Sequence, residues 1–216
     1  ENGKDNLSSV PFASWDQFLF AGVTPAFSFE ELIAPMKERL SWLPLKDFVY
    51  DPTRSTDYFT DANWALYCEN YLEGFHIPYV HPALAKTLDC KDYDTIIYPY
   101  SVLQVGIANN PSDAFDIIPK DSPDYGKNIG AYYWWLFPNM MFNFYPWGLS
   151  LNIIVPLSKD RTRVSYITYM YDESKLDHGA GANVDQTERE DQSIIEQVQR
   201  GIRSHFYERG RYSPDW

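Results

Sequence analysis

The chain has 216 residues, 44% of them hydrophobic, with no apolar run of about 18 residues, so it is long enough for one soluble domain with a substantial core and carries no helical membrane span. Its net charge of -12 disfavours nucleic acid and anionic membrane as partners, because phosphate contacts come mostly from Lys and Arg, and is compatible with a cationic substrate or a basic redox partner. Cys68 and Cys90 are too few for a disulfide framework and fit a reducing cytoplasm, and the polar N-terminus lacks the basic-then-apolar order of a secretory signal.

Residues 1–14 read as a flexible entry. From Ser14 to Val23, the spacing of Trp15, Phe18, Phe20 and Val23 predicts a first strand closed by Gly22 and Pro25. Ser28 followed three residues later by Glu31 is a capping box for a helix over 29–40, interrupted by Pro35. Residues 48–60 are strand material, and Thr60 or Asp61 can cap a helix whose buried stripe is Trp64, Leu66, Tyr67, Tyr71 and Phe75. Pro78 should end that helix, since it lacks a donor and restricts the residue before it. A charged connector follows over 86–94, then two short strands over 95–107 turning near Pro99, then a long mobile loop over 109–130. The aromatic run from Tyr132 to Phe137, then Met140 to Tyr145, Leu149 to Leu157 and Arg163 to Tyr171 predict four strands. Their short connections imply an antiparallel meander, and their near-continuous apolar character implies that both faces are covered. A long amphipathic helix over 184–206 carries Ile194, Ile195, Val198, Ile202 and Phe206 at helical spacing. The result is an α+β fold, a curved antiparallel sheet around a long C-terminal helix with a cavity between them. The 17 Tyr, 13 Phe and 7 Trp suit an apolar pocket as well as a core.

Two of the four histidines, His76 and His81, fall within six residues. Asp191 lies three residues before Ile194 and seven before Val198, so the same helical period puts it on a buried face. An unpaired carboxylate there is costly unless neutralised, hydrogen-bonded or bound to a metal. Two neutral imidazoles and a carboxylate form the facial ligand set of non-haem Fe(II), with open positions for oxygen chemistry. Zinc stays open on spacing alone, because the same ligands also build hydrolytic sites. Glu69 and Glu73 lie one turn apart and form either a solvated acidic face or, for Glu73, a carboxylate supporting a ligating histidine. Asn70 can aim its amide at the same spot. His178 and His205 read as structural or exposed.

The segments Asn63-Trp64, Glu69-Asn70-Tyr71-Leu72-Glu73-Gly74-Phe75-His76 and Val80-His81-Pro82 resemble the mononuclear-iron motif of Rieske-type oxygenases, the ring-hydroxylating α-subunits. Glu190-Asp191 with Glu196-Gln197-Val198-Gln199-Arg200-Gly201, and Gly210-Arg211-Tyr212-Ser213, match that family as well. The resemblance implies a helix-grip fold of the START/Bet v 1-like, lipid-transfer kind, with Fe(II) on His76, His81 and Asp191. It also implies that Glu73 passes electrons from a Rieske [2Fe-2S] cluster in a neighbouring subunit, that NAD(P)H supplies them through a separate reductase or ferredoxin, and that the full-length protein is a homo-trimer using O2. The stretch Leu136 to Trp147 looks closest to the choline and carnitine monooxygenase branch. That implies a small quaternary or tertiary ammonium substrate with Phe142, Tyr145 and Trp147 in its pocket, and an aromatic substrate also fits such side chains. One departure is large: a Rieske cluster needs two Cys and two His, and no Cys-x-His or Cys-x-x-His occurs here. The Rieske domain is therefore expected N-terminal to residue 1, with residues 15–216 forming the catalytic domain, inactive without it. The competing readings are a helix-grip ligand-binding module without catalysis and a His-His-Asp zinc hydrolase.

Overall fold

A computed structural model of the chain describes residues 8–210. Strands β1 (Phe12–Trp15) and β2 (Phe18–Ala21) form a separate hairpin. Strands β3 (Val49–Thr60), β4 (Leu88–Tyr98), β5 (Ser101–Ala108), β6 (Ile129–Leu136), β7 (Met140–Tyr145), β8 (Gly148–Ser158) and β9 (Arg161–Met170) form one antiparallel sheet in the order β3-β9-β8-β7-β6-β5-β4. From β4 onward each strand pairs with the next, a meander with short turns everywhere except between β5 and β6, which residues 109–128 connect. Only β3 is displaced, to the edge opposite β4, so the chain between them must traverse the sheet. It does so through α2 (Trp64–Tyr71), α3 (Ile77–Val80) and α4 (Leu84–Thr87). Helix α5 (Val184–Gly201) follows β9 and packs against α2 and α3. This crossing brings His76 and His81 to Asp191 across more than a hundred residues of sequence.

The period-2 alternation of the strands sorts side chains between two layers. Phe142 and Phe144 of β7 pack with Trp15 and Phe18 of the hairpin and with Ile33 and Met36 of α1 (Phe29–Arg39). Met141, Asn143 and Tyr145 face the helices α2 and α5. Both faces are thus covered. Trp134, Tyr132, Phe142 and Phe144 are fully buried, and burial of each such side chain stabilises by about 1.5–3 kcal/mol.

Several elements differ from their sequence reading. The first strand is a hairpin, reversed where Asp16 takes a φ of 47°. Of the entry segment, residues 1–7 lie outside the described part, and Phe12 to Ser14 belong to β1. Asn63, rather than Thr60 or Asp61, caps α2 by accepting from the Ala65 amide. That helix ends at Tyr71, and Phe75 is 52% exposed. Pro78 begins a helix instead of ending one, because it sits in the first turn of α3, where a missing N–H costs nothing. The charged stretch 86–94 largely belongs to β4, an edge strand whose charges face solvent. The loop before β6 is pinned rather than mobile: fully buried Asp124 accepts from Arg39 Nε and Nη2 of α1 at 2.7 and 2.6 Å and from Tyr132 Oη at 2.9 Å. Helix α5 stops at Gly201, and Phe206 beyond it is 90% exposed. The Gly210-Arg211-Tyr212-Ser213 segment lies outside the described residues except for Gly210.

Candidate metal centre

His76 precedes α3 as its N-cap residue, and His81 follows as its C-cap, so one short helix fixes both rings about 5.0 Å apart. Gly74 makes the approach possible, since a Cβ there would meet the Tyr93 ring at 2.8 Å. From α5, Asp191 Oδ1 lies 3.0 Å from His81 Nε2 and 3.6 Å from His76 Nε2. One ligand atom from each of the three residues lies within 4.8 Å of the others.

The far side of each ring is held as well. His76 Nδ1 is 2.6 Å from Glu73 Oε1, whose other oxygen accepts from the His76 amide, and His81 Nδ1 is 2.7 Å from Glu190 Oε2. A proton on Nδ1 donated to a carboxylate leaves the Nε2 lone pair aimed at the shared point, the arrangement typical of ligating histidines. Asn70 Nδ2 donates to Asp191 Oδ1 at 2.6 Å, so it orients the carboxylate. The donor set and its supports fit a divalent first-row metal with open positions. Burial lowers the pKa of His76, but hydrogen bonds to Asp191 and Glu73 outweigh it and raise the ring to about 9. His81 is raised by the same balance, through Asp191 and Glu190. Burial pushes Asp191 up, and the two imidazoles more than reverse it, holding the carboxyl below its usual value.

The centre opens into a cavity of about 90 Å³ walled by Tyr67, Tyr71, Tyr93, Tyr133, Tyr145 and Tyr166. Burial raises the pKa of these hydroxyls, so the wall stays neutral. Gln104 also lines it; its Nε2 donates to Tyr71 O at 2.5 Å, and its Oε1 has no partner among the described residues. Of the three pocket residues expected from sequence, only Tyr145 lines this cavity. Phe142 faces the opposite layer by strand alternation, and Trp147 stacks on Tyr145 while donating from Nε1 to Gly181 O. Glu69, His178 and His205 are exposed.

The family profile described as the ring hydroxylating alpha subunit (catalytic domain) matches residues 40–215. The chain belongs to this family. Among its relatives is the chloroplastic choline monooxygenase of Arabidopsis thaliana, 33% identical over 166 residues, covering 73% of this chain and 37% of the relative. The carnitine monooxygenase oxygenase subunit of Acinetobacter baumannii is 27% identical over 226 residues, covering 98% of this chain and 58% of the relative. The fold matches a crystal structure of a quaternary ammonium Rieske monooxygenase in complex with L-carnitine, at a TM-score of 0.70 and 22% identity over 92% of this chain and 52% of that one. The chain therefore spans about half the length of the relatives it matches.

Within this ring-hydroxylating α-subunit domain, two features escape a reading of the sequence alone, and a third was open to it. Glu190 looks like one more acid on a charged helix, and only its neighbour Asp191 marks it. The tyrosines come from α2, β4, β6, β7 and β9, which no local pattern joins. Strand alternation around Asn143 would have chosen Tyr145 and rejected Phe142.

Proposed function

We propose that this chain is the oxygen-activating portion of a Rieske-type non-haem iron monooxygenase acting on a small quaternary ammonium compound. The observation that carries this reading is the convergence of His76 Nε2, His81 Nε2 and the Asp191 carboxylate beside a tyrosine-walled cavity. Fe(II) bound there would supply oxygen activation and insertion of an oxygen atom into a substrate C–H bond. His76, His81 and Asp191 would hold the metal, while Glu73, Glu190 and Asn70 keep the ligand atoms oriented. The tyrosines exclude bulk water and offer their faces to a cation. Named relatives that act on choline and carnitine support an ammonium substrate.

The electrons come from elsewhere. A [2Fe-2S] cluster needs two Cys and two His, whereas Cys68 is buried and neither cysteine has a histidine at cluster spacing. The cluster therefore belongs to a Rieske domain outside this sequence, in the same or a neighbouring subunit of a homo-trimer, reduced by NAD(P)H through a reductase or ferredoxin. Glu73, with its side chain 42% exposed and one oxygen on His76 Nδ1, is the proposed point of entry beside the centre. A solved relative bears a title describing inter-subunit electron transfer. Among the described residues no helix is long and apolar enough to cross a membrane, and both cysteines are free, in keeping with the proposed cytoplasmic setting.

Anaerobic Fe(II) titration tests the reading. The chain is expected to take up about one Fe(II), and Asp191→Ala none. Full iron occupancy in that variant would refute it. Hydrolytic turnover with zinc and no reductant would favour the hydrolase instead, and ammonium binding indifferent to Fe(II) the non-catalytic module.

A further inference from the structure

Glu188 is fully buried on α5, one helical turn before Asp191, and supports none of the metal ligands. Its Oε2 accepts from the hydroxyls of Tyr67 on α2 and Tyr166 on β9, and its Oε1 accepts from Gln192 Nε2 at 3.0 Å. Pinning α5 to its neighbours needs only a neutral acceptor, whereas a carboxyl in this position carries a large desolvation cost. Tyr67 and Tyr166 line the cavity, so Glu188 stands directly behind two of its aromatic walls. Among the described residues no Lys or Arg lines the cavity, and none pairs with Glu188.

We propose that Glu188 is a specificity-determining residue whose carboxylate provides the counter-charge that selects an ammonium cation over a neutral molecule of the same shape. This rests on the ammonium reading above and adds the residue that enforces it. Hydroxyls that donate to a carboxylate are polarised toward their rings, which strengthens the attraction of both faces for a cation. Burial pushes the carboxyl up to about 7 against the opposing effect of the two tyrosine hydroxyls, and a cation in the cavity favours its ionised form.

The test uses the Fe(II)-loaded chain under anaerobic conditions and compares calorimetric Kd values for choline and its neutral tert-butyl isostere. The wild type should prefer the cation. In Glu188→Gln and Glu188→Met that preference should fall about tenfold, the order expected for unit charges ~10 Å apart at an effective dielectric of ~20, while binding of the neutral isostere is unchanged. Equal weakening of both ligands, the signature of a structural role, overturns the proposal, as does a preference retained in either variant. A wild type with no preference overturns the ammonium reading together with this one. Where the variants fail to fold, the wild-type ratio is compared at about pH 6 and pH 8 with Fe(II) held saturating at both, so that metal occupancy is the same. Tyr67 from α2, Tyr166 from β9, Tyr58 from β3, and Gln192 and Asp191 on α5 surround or face Glu188. The tyrosines are raised by burial and Asp191 is held low, so Glu188 is the group among them that changes charge in this window. The ratio should rise with pH, and a flat ratio overturns the proposal.

Discussion

At the scale of single residues, the histidines set a pH dependence of opposite sign for stability and for metal binding. A free imidazole titrates near 6.5, which alone would place the onset of metal loss there. With Asp191 and Glu73 on its two nitrogens, His76 is raised to about 9. In the metal-free chain its stabilising contribution is complete below about 6.5 and is lost as pH rises through about 9. Metal binding must displace that proton, so affinity should keep climbing between pH 7 and 9 and then level off. Co(II) titrations followed by visible absorption would check this, together with proton release at pH 7; affinity already flat above pH 7 would contradict it. Glu190→Gln should weaken Co(II) affinity by about 10- to 100-fold without abolishing binding, the usual effect of losing a support to a ligating histidine.

At the scale of elements, the sequence pattern and the structure agree where a single face of an element is apolar and disagree where polar groups occupy the buried face. The meander from β6 to β9 was legible because its strands are apolar and its turns short. Helix α5 was legible as a helix, but its inward side carries Glu188, Ile195 and Gln199, with Val198 42% exposed. Of the two residues whose spacing places Asp191 inward, Ile194 packs against the core beside Ile195, whereas Val198 points out. The polar face has structural work to perform: Gln199 Oε1 accepts from the Asn63 amide at 2.8 Å and Glu196 Oε1 from the Asp61 amide at 3.0 Å, which ties α5 to the start of α2. The loop before β6 likewise reads as mobile only because its anchor, Arg39, lies 85 residues away. Arg39→Ala leaves Asp124 buried with no cation and should cost about 3–5 kcal/mol in denaturant unfolding. At the turn before α5, Gly181→Ala would drive a Cβ into Trp147 Nε1 and set it 2.8 Å from Tyr145 Cγ. Displacing Tyr145 from the cavity wall should weaken ammonium binding several-fold, with an overpacking cost of about 1–3 kcal/mol, and calorimetry on the folded variant measures the first effect.

For the whole molecule, the decisive fact is topological. Because β3 and β4 occupy opposite edges of one sheet, the connection that carries His76 and His81 crosses the same face that α5 must cover. The sequence shows the ligand types and their local spacing, but no local pattern reveals that two crossings meet. A metal at that meeting point ties the crossing to α5, which among the described residues are otherwise joined by hydrogen bonds and packing, so it should stabilise the whole domain rather than one loop. At a free concentration of about 100 times Kd, a ligand bound only by the folded state adds about 2.7 kcal/mol. For a domain of this size that corresponds to a rise of roughly 5–10 °C in Tm. The rise should appear with Fe(II) or Co(II) and vanish in Asp191→Ala, whose metal-free Tm provides the baseline. Hydrogen exchange should show slower opening in both α5 and the 70–81 crossing on metal addition, because one bond network closes them together. Protection confined to the crossing would mean that Asp191 does not reach the metal.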